Sequence, residues 1–297
     1  MVPSVVAGGM VIRLQTWIAV ALLALSPPQQ QPRRIVSTFP SVTETLFALG
    51  AGDRVVGVSS YCRYPPAVLA LPKVGTYAKP DPEKIALLRP DLVIIQQNAT
   101  TLADRLRALA IPYTQVKLGS LDEIYSLILD VGHAVGLPDR AEKLTAGIQS
   151  KLADIRTKTR GEPHPRVLII LGRNPGDLTN LVAVGPGSYL AELLEIAGGI
   201  NVMAGTTIAY PRISLETVVR LNPDVILDAS MMDRAGDESG GPEQHLREPW
   251  LAHRELAAVQ NGMVLGLASE TLVTPGPRVV DAVELLHTKI HPAERRP

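Results

Sequence analysis

The sequence predicts two α/β lobes, each built around a central β-sheet and joined by a helical connection. Three observations predict it. Residues 77–95 (YAKPDPEKIALLRPDLVII) return in outline at residues 210–228 (YPRISLETVVRLNPDVILD). The anchors keep register, because Tyr77 and Tyr210, Glu83 and Glu216, Pro90 and Pro223, and Asp91 and Asp224 are each 133 positions apart. Finally, 297 residues of which 46% are hydrophobic are enough to fill two cores of ordinary size.

The chain begins with an apolar stretch, residues 10–26 (MVIRLQTWIAVALLALS), with Arg13 near its start and the small residues Ala24 and Ser26 near its end. That is the shape of a secretory signal, too short in its apolar core for an ordinary membrane span. It reads as an export signal, either cleaved or retained as an anchor, followed by a polar linker; the first segment is set at 1–32. No cysteine lies near it, so a lipid anchor through an N-terminal cysteine is not expected.

The N-terminal lobe is set at 33–120. Residues 33–38 form an opening strand, and Pro40-Ser41 leads into a helix over 42–49 that the Gly50-Ala51-Gly52 turn ends. A second strand follows at 55–59. In the repeat, Asp81 caps a short helix with Pro82 at its first position and Glu83 in its first turn, where the helix dipole favours a carboxylate. Pro90 ends that helix, and a buried parallel strand follows from Leu92 to Ile95.

The connection is set at 121–160. Helical periodicity over 121–135 and 139–159, interrupted at Leu137-Pro138, predicts a long and nearly continuous helical link. The C-terminal lobe, 161–297, echoes the first: a strand at 166–171, a helix over 189–197 capped by Ser188, and a helix capped by Ser214 that carries Glu216 and leads to a strand at 225–227. Residues 234–249 read as a polar loop, 263–267 as a final strand, and 279–290 as a last helix introduced by Pro275-Gly276-Pro277-Arg278.

Several classes are disfavoured. The formal net charge is +0 and no basic run stands out, so nucleic acid is not expected as a partner. A single cysteine, Cys62, rules out an internal disulfide and a Cys-rich metal site, and reads as a buried small hydrophobe. The six histidines fall on different elements without ligand-like spacing, so no metal site is expected. No nucleophile elbow, triad or complete phosphate-binding loop is present, and an enzyme is not expected.

The ordered motifs resemble those of the substrate-binding proteins of ABC importers for vitamin B12, haem and iron siderophores. These are Pro-Ser-x-Thr-Glu in residues 40–44, Val56-Gly57-Val58 followed by Tyr64-Pro65-Pro66, Val74-Gly75 before Pro82-Glu83, Arg89-Pro90-Asp91-Leu92-Val93, and Pro275-Gly276-Pro277-Arg278 with its helix and His291-Pro292. Together they run from about Arg33 to Pro292. The resemblance implies two Rossmann-like lobes on a long helical backbone (the class III periplasmic-binding-protein fold), a ligand held in the cleft between them, and little closure on binding. It implies an extracytoplasmic monomer with no cofactor of its own, carrying cobalamin or a related corrinoid, with haem or a ferric siderophore as the alternative.

It also implies a membrane partner, an ABC permease dimer docked by one glutamate per lobe, here Glu83 and Glu216. Taken alone, each is an ordinary dipole-matched surface residue; their equivalent positions in two sister lobes suit a two-fold partner. By the same motifs the ligand-binding candidates are Tyr61, Tyr77 and Tyr210, whose rings can pack on a flat macrocycle while their hydroxyls bond its substituents. Arg173 and Asn174 follow a strand at the expected cleft edge, although the residues alone leave open an exposed turn. Glu270 and Thr274 fall where relatives contact the ligand. Lys79 and Arg212, each two residues after a tyrosine, suit an anionic ligand or a solvated surface, and Tyr64 reads as structural.

Overall fold

The repeated Pro-Asp step closes each lobe's sheet by the same hydrogen bonds. Asp91 accepts from the backbone N–H groups of Arg33 (2.8 Å) and Arg34 (2.9 Å), and Asp224 accepts from that of Arg166 (2.8 Å). In return the Arg34 side chain donates to the carbonyls of Leu88 and Arg89, and that of Arg166 to those of Leu221 and Asn222. Those carbonyls end the two repeat helices, where no intrahelical donor remains for them. Arg89 and Asn222 both take a left-handed backbone there, with φ of 47° and 41°. One arginine and one aspartate per lobe thus tie the opening strand to the repeat.

The structure is a computed structural model that describes residues 31–230, 242–267 and 269–292. The export segment and residues 234–241 of the loop assigned to 234–249 lie outside the described residues.

In the N-terminal lobe, β1 (Ile35–Ser37), α1 (Pro40–Ala48), β2 (Val55–Val58), α2 (Pro82–Leu87), β3 (Leu92–Gln96), α3 (Thr100–Ala108) and β4 (Tyr113–Val116) follow one another. The strands pair in the order β2-β1-β3-β4, all parallel. Four consecutive residues of β3, Leu92 to Ile95, are buried, as a parallel strand covered on both faces requires.

Two helices then cross over, α4 (Leu121–Ala134) and α5 (Pro138–Thr159). They are not the nearly continuous rod expected from the sequence. Gly136 adopts φ 71°, Leu137 N–H bonds back to the Gly132 carbonyl (2.7 Å), and α5 restarts packed against α4. The residue at 132 must be small, because a Cβ there would lie 2.3 Å from that of Ala141. Gly132→Ala is therefore expected to destabilise the protein by about 1–3 kcal/mol through overpacking, read by urea unfolding. A loss below about 0.5 kcal/mol, the usual surface range, would show that the two helices are not locked there.

α5 reaches both lobes. Arg140 near its start donates to the Leu49 carbonyl at the end of α1 (2.9 Å), and Thr159 at its end donates to the Ile196 carbonyl of the second lobe (3.1 Å).

The C-terminal lobe runs β5 (Arg166–Gly172), β6 (Leu181–Ala183), α6 (Tyr189–Ile196), β7 (Ile200–Asn201), β8 (Arg212–Ile213), α7 (Leu215–Leu221), β9 (Val225–Asp228), α8 (Pro242–Arg247), α9 (Ala257–Gln260), β10 (Val264–Gly266), α10 (Glu270–Val273) and α11 (Val279–Ile290). The parallel order β7-β5-β9-β10 repeats that of the first sheet. The edge that β2 occupies in the first lobe is shared here: β7 pairs with the start of β5, and antiparallel β6, which also pairs with β8, takes its far end. Residues 242–247, expected within a polar loop, form α8, and a 3-10 turn over Glu248–Ala252 buries Trp250 behind it.

One apolar cluster runs through both lobes, from Ile35, Val42 and Leu46 through Ile128, Ile148 and Leu152 to Leu194, Val283 and Ile290. Hydrogen bonds cross the same seam, from Tyr189 N–H to the Gly119 carbonyl (2.8 Å) and from Leu121 N–H to Glu192 (2.9 Å). Swinging the lobes apart would bring this shared core into water, which resists large hinge motion.

Candidate functional site

Three segments from the two lobes carry the residues expected to line a cleft. From the first lobe comes the stretch between β2 and α2, which carries Tyr61, Arg63, Tyr64 and Tyr77. The rings of Tyr61 and Tyr77 meet edge-on, with centroids 5.2 Å apart and planes at 68°. Such a pair holds its geometry while leaving an aromatic face outward, and Tyr77 is 49% exposed.

From the second lobe, α10 and the Pro-Gly-Pro-Arg turn face this stretch. Glu270 lies 3.1 Å from the Arg63 guanidinium, a half-exposed ion pair across the lobes. Arg278 pairs through two nitrogens with Glu44 on α1, donates to Thr271 (2.8 Å), and lays its guanidinium 4.1 Å from the centre of the Tyr64 ring. Burial pushes the Glu44 carboxyl above the usual range, and the Arg278 pair pulls it back down. Gly276 in this turn lies beside the Ser41 backbone, where a Cβ would meet the Ser41 Cα at an ordinary contact distance of 3.5 Å.

Tyr210 lies within electrostatic reach of Tyr189, which bonds to α10. It is 42% exposed, yet its hydroxyl is desolvated enough to be pushed above the ordinary tyrosine value. Burial, and then Tyr210 itself, raise the hydroxyl of Tyr189, which donates to the Leu272 carbonyl in α10 (3.0 Å). Tyr64, Tyr77 and Tyr210 are the only exposed aromatic residues among the described residues. Tyr64, expected to pack structurally, is 45% exposed beside Arg278.

Other expected contacts are placed differently. Arg173 is committed inside the protein, its side chain 3% exposed. It donates to Asp228 (2.8 Å) and to the carbonyls of Asn174, Asp177 and Leu246, so its nitrogens are not spare donors for a ligand. The Asn174 amide is likewise engaged with Thr179 (2.7 Å) and Asn180 (3.0 Å), bracing the turn between β5 and β6. Thr274 is buried, with its N–H on the Glu270 carbonyl. Lys79 and Arg212 are exposed. Cys62 is buried against Thr43 (3.1 Å), and burial pushes its thiol up to about 11, so it stays protonated at neutral pH.

Glu83 and Glu216 take the matching exposed position in the first turn of α2 and α7. Asp81 caps one helix through the N–H groups of Glu83 and Lys84, and Ser214 caps the other through that of Thr217. A hydrogen bond from Ser214, with the backbone N–H of Glu216, lowers the Glu216 carboxyl, which is therefore ionised at neutral pH. Beside it lies a groove of about 660 Å³ lined by Asp177, Thr179, Arg212, Ser214 and His253. This groove holds Glu216 and none of the tyrosines.

Comparison with known proteins decides the family. The periplasmic binding protein family matches residues 35–271. The chain belongs to the periplasmic binding protein family. This binding protein is 31% identical over 282 residues to a vitamin B12-binding protein of Vibrio cholerae, covering 94% of this chain and 96% of the relative. The crystal structure of the periplasmic vitamin B12 binding protein BtuF of Vibrio cholerae superposes with a TM-score of 0.71 at 31% identity, over 90% of this chain and 99% of that one. The apo periplasmic heme-binding protein RhuT from Roseiflexus sp. RS-1 superposes with a TM-score of 0.72 at 28% identity, over 87% and 99% of the two chains. An ABC transporter substrate-binding lipoprotein of Bacillus subtilis, YvrC, is 29% identical over 272 residues, 89% of this chain and 82% of the relative. The binding protein thus has the two-lobed fold of this family, and no helix among its described residues is long and apolar enough to cross a membrane.

Proposed function

We propose that this protein captures cobalamin or a related corrinoid in the groove between its lobes, outside the cytoplasm, and delivers it to an ABC permease. The observation that carries the reading is that the chain is similar to vitamin B12-binding proteins over nearly its full length, with exposed tyrosines on both lobes supporting it. A corrin is a broad, flat, partly apolar ring edged with amides. Tyr77 and Tyr210 offer it aromatic faces and hydroxyls, and Tyr61 steadies the first of them. Glu270 stays on the rim as a candidate polar contact, held by Arg63. In this reading Arg173, Asn174 and Thr274 act behind the site, by holding its backbone.

The same reading assigns Glu83 and Glu216 to the permease, one per lobe, and residues 10–26 to export. Residues 33–120 and 161–297 are the two lobes, with 121–160 between them. Haem or a ferric siderophore is the second reading, favoured by exposed Lys79 and Arg212, two residues beyond the paired tyrosines, which suit propionates or another anionic rim.

Calorimetry with cyanocobalamin tests the site. The double variant Tyr77→Ala, Tyr210→Ala is expected to bind at least tenfold more weakly, a loss of about 1.4 kcal/mol or more. Unchanged affinity in the folded variant would remove the tyrosines from the ligand site.

A further inference from the structure

We propose that Glu162, His287 and His291 form a binding site for a divalent transition-metal ion, with zinc the first choice, that fastens the last helix to the end of the inter-lobe helix. His287 and His291 are four residues apart at the end of α11, so their rings leave the same side of the helix one turn apart; the ring centroids are 4.8 Å apart. Glu162 reaches them from the turn that follows α5. His287 Nε2 lies 2.6 Å from Glu162 Oε2, His291 Nε2 lies 3.9 Å from the same oxygen, and the three donor atoms all fall within 4.8 Å of one another.

The independent sign is His291. Its side chain is 9% exposed, and its Nε2 is buried without a hydrogen-bond partner. A buried polar atom left so calls for an explanation, an ion or a water among them. Gly198 keeps the space beside that nitrogen clear, because a Cβ there would lie 3.1 Å from His291 Nε2 and 3.7 Å from His164 Nδ1. His164 itself is held against the Gly198 carbonyl at 2.8 Å.

An ion pair between Glu162 and His287 leaves His291 Nε2 without a hydrogen bond, whereas a dication satisfies both imidazoles and the carboxylate at once. Zinc holds such ligands at about 2.0–2.2 Å in a tetrahedron, which sets the donor atoms roughly 3.3 Å apart. The Glu162–His287 contact would open slightly and His291 would move in slightly. Two imidazoles and one carboxylate favour zinc and its transition-metal neighbours over magnesium or calcium, and water fills the fourth position. The ion would join α11 to the segment that follows α5, a covalent-like clasp at the base of the second lobe.

The test uses the full chain without a histidine tag, stripped with a chelator and titrated with zinc chloride by calorimetry. The expected result is one zinc per chain with a dissociation constant in the micromolar range or tighter, and a higher melting temperature with zinc present. Cobalt(II) should give visible absorption bands of tetrahedral coordination. His287→Ala and Glu162→Gln, both at partly exposed positions, are expected to weaken zinc binding at least tenfold and to leave cyanocobalamin binding unchanged, so the outcome is separate from that of the corrinoid reading. Absence of stoichiometric zinc binding by the natural sequence, or equal zinc affinity in both folded variants, would overturn the proposal.

Discussion

A protein carrying arginine at both Glu83 and Glu216 is expected to bind its ligand with unchanged affinity and to deliver none of it through the cognate permease. Both carboxylates are exposed at the first turn of equivalent helices. A partner that receives them in basic pockets would lose two charge pairs and gain two repulsions. Truncating one partner of a buried interfacial pair already costs about 2–5 kcal/mol, and reversal at both lobes exceeds what a transient complex can absorb. Single reversals should leave intermediate transport. Uptake assayed in vesicles with the reconstituted permease reads the effect, and normal delivery by the double variant would remove these residues from docking.

Asp228→Ala is expected to destabilise the protein by about 3–5 kcal/mol, because it strands a charge in the interior. Asp228 is fully buried at the end of β9. One of its oxygens accepts from Arg173 Nε (2.8 Å) and Trp250 Nε1 (2.8 Å), and the other from the Ser230 N–H (3.1 Å) and hydroxyl (2.6 Å). Without the carboxylate, the nearly buried Arg173 guanidinium and the Trp250 indole lose a shared partner at once. Urea unfolding followed by circular dichroism measures the loss; a change below about 1 kcal/mol would show that the network relaxes around water instead.

The repeat explains why so much of the fold was legible. Asp81, Ser188 and Ser214 act as helix caps through backbone N–H groups, as their positions before apolar periodic runs suggest. The last helix occupies 279–290 as expected. These features are local, set by residues within one or two turns of one another. What escaped notice depends on distant partners. Nothing near Leu137-Pro138 tells whether two helices continue or fold back, and the answer lies in the close approach of Gly132 to Ala141. Position 228 aligns with Ile95 of the first lobe, so the repeat suggests one more apolar strand residue; only Arg173, 55 positions away, makes it an acceptor. Arg278 and Glu44 are 234 positions apart. His287 and His291, read from the sequence as lacking ligand-like spacing, lie one helical turn apart, and the carboxylate beside them is 125 positions before His287. The short antiparallel strands β6 and β8 carry too few residues to show a period.

Titration of the purified protein in parallel with cyanocobalamin, haemin and a ferric siderophore tests the central claim most directly. The account predicts saturable one-to-one binding of cyanocobalamin, with at least tenfold weaker binding of the other two. Saturable binding of haemin or the siderophore with no response to cyanocobalamin would contradict it.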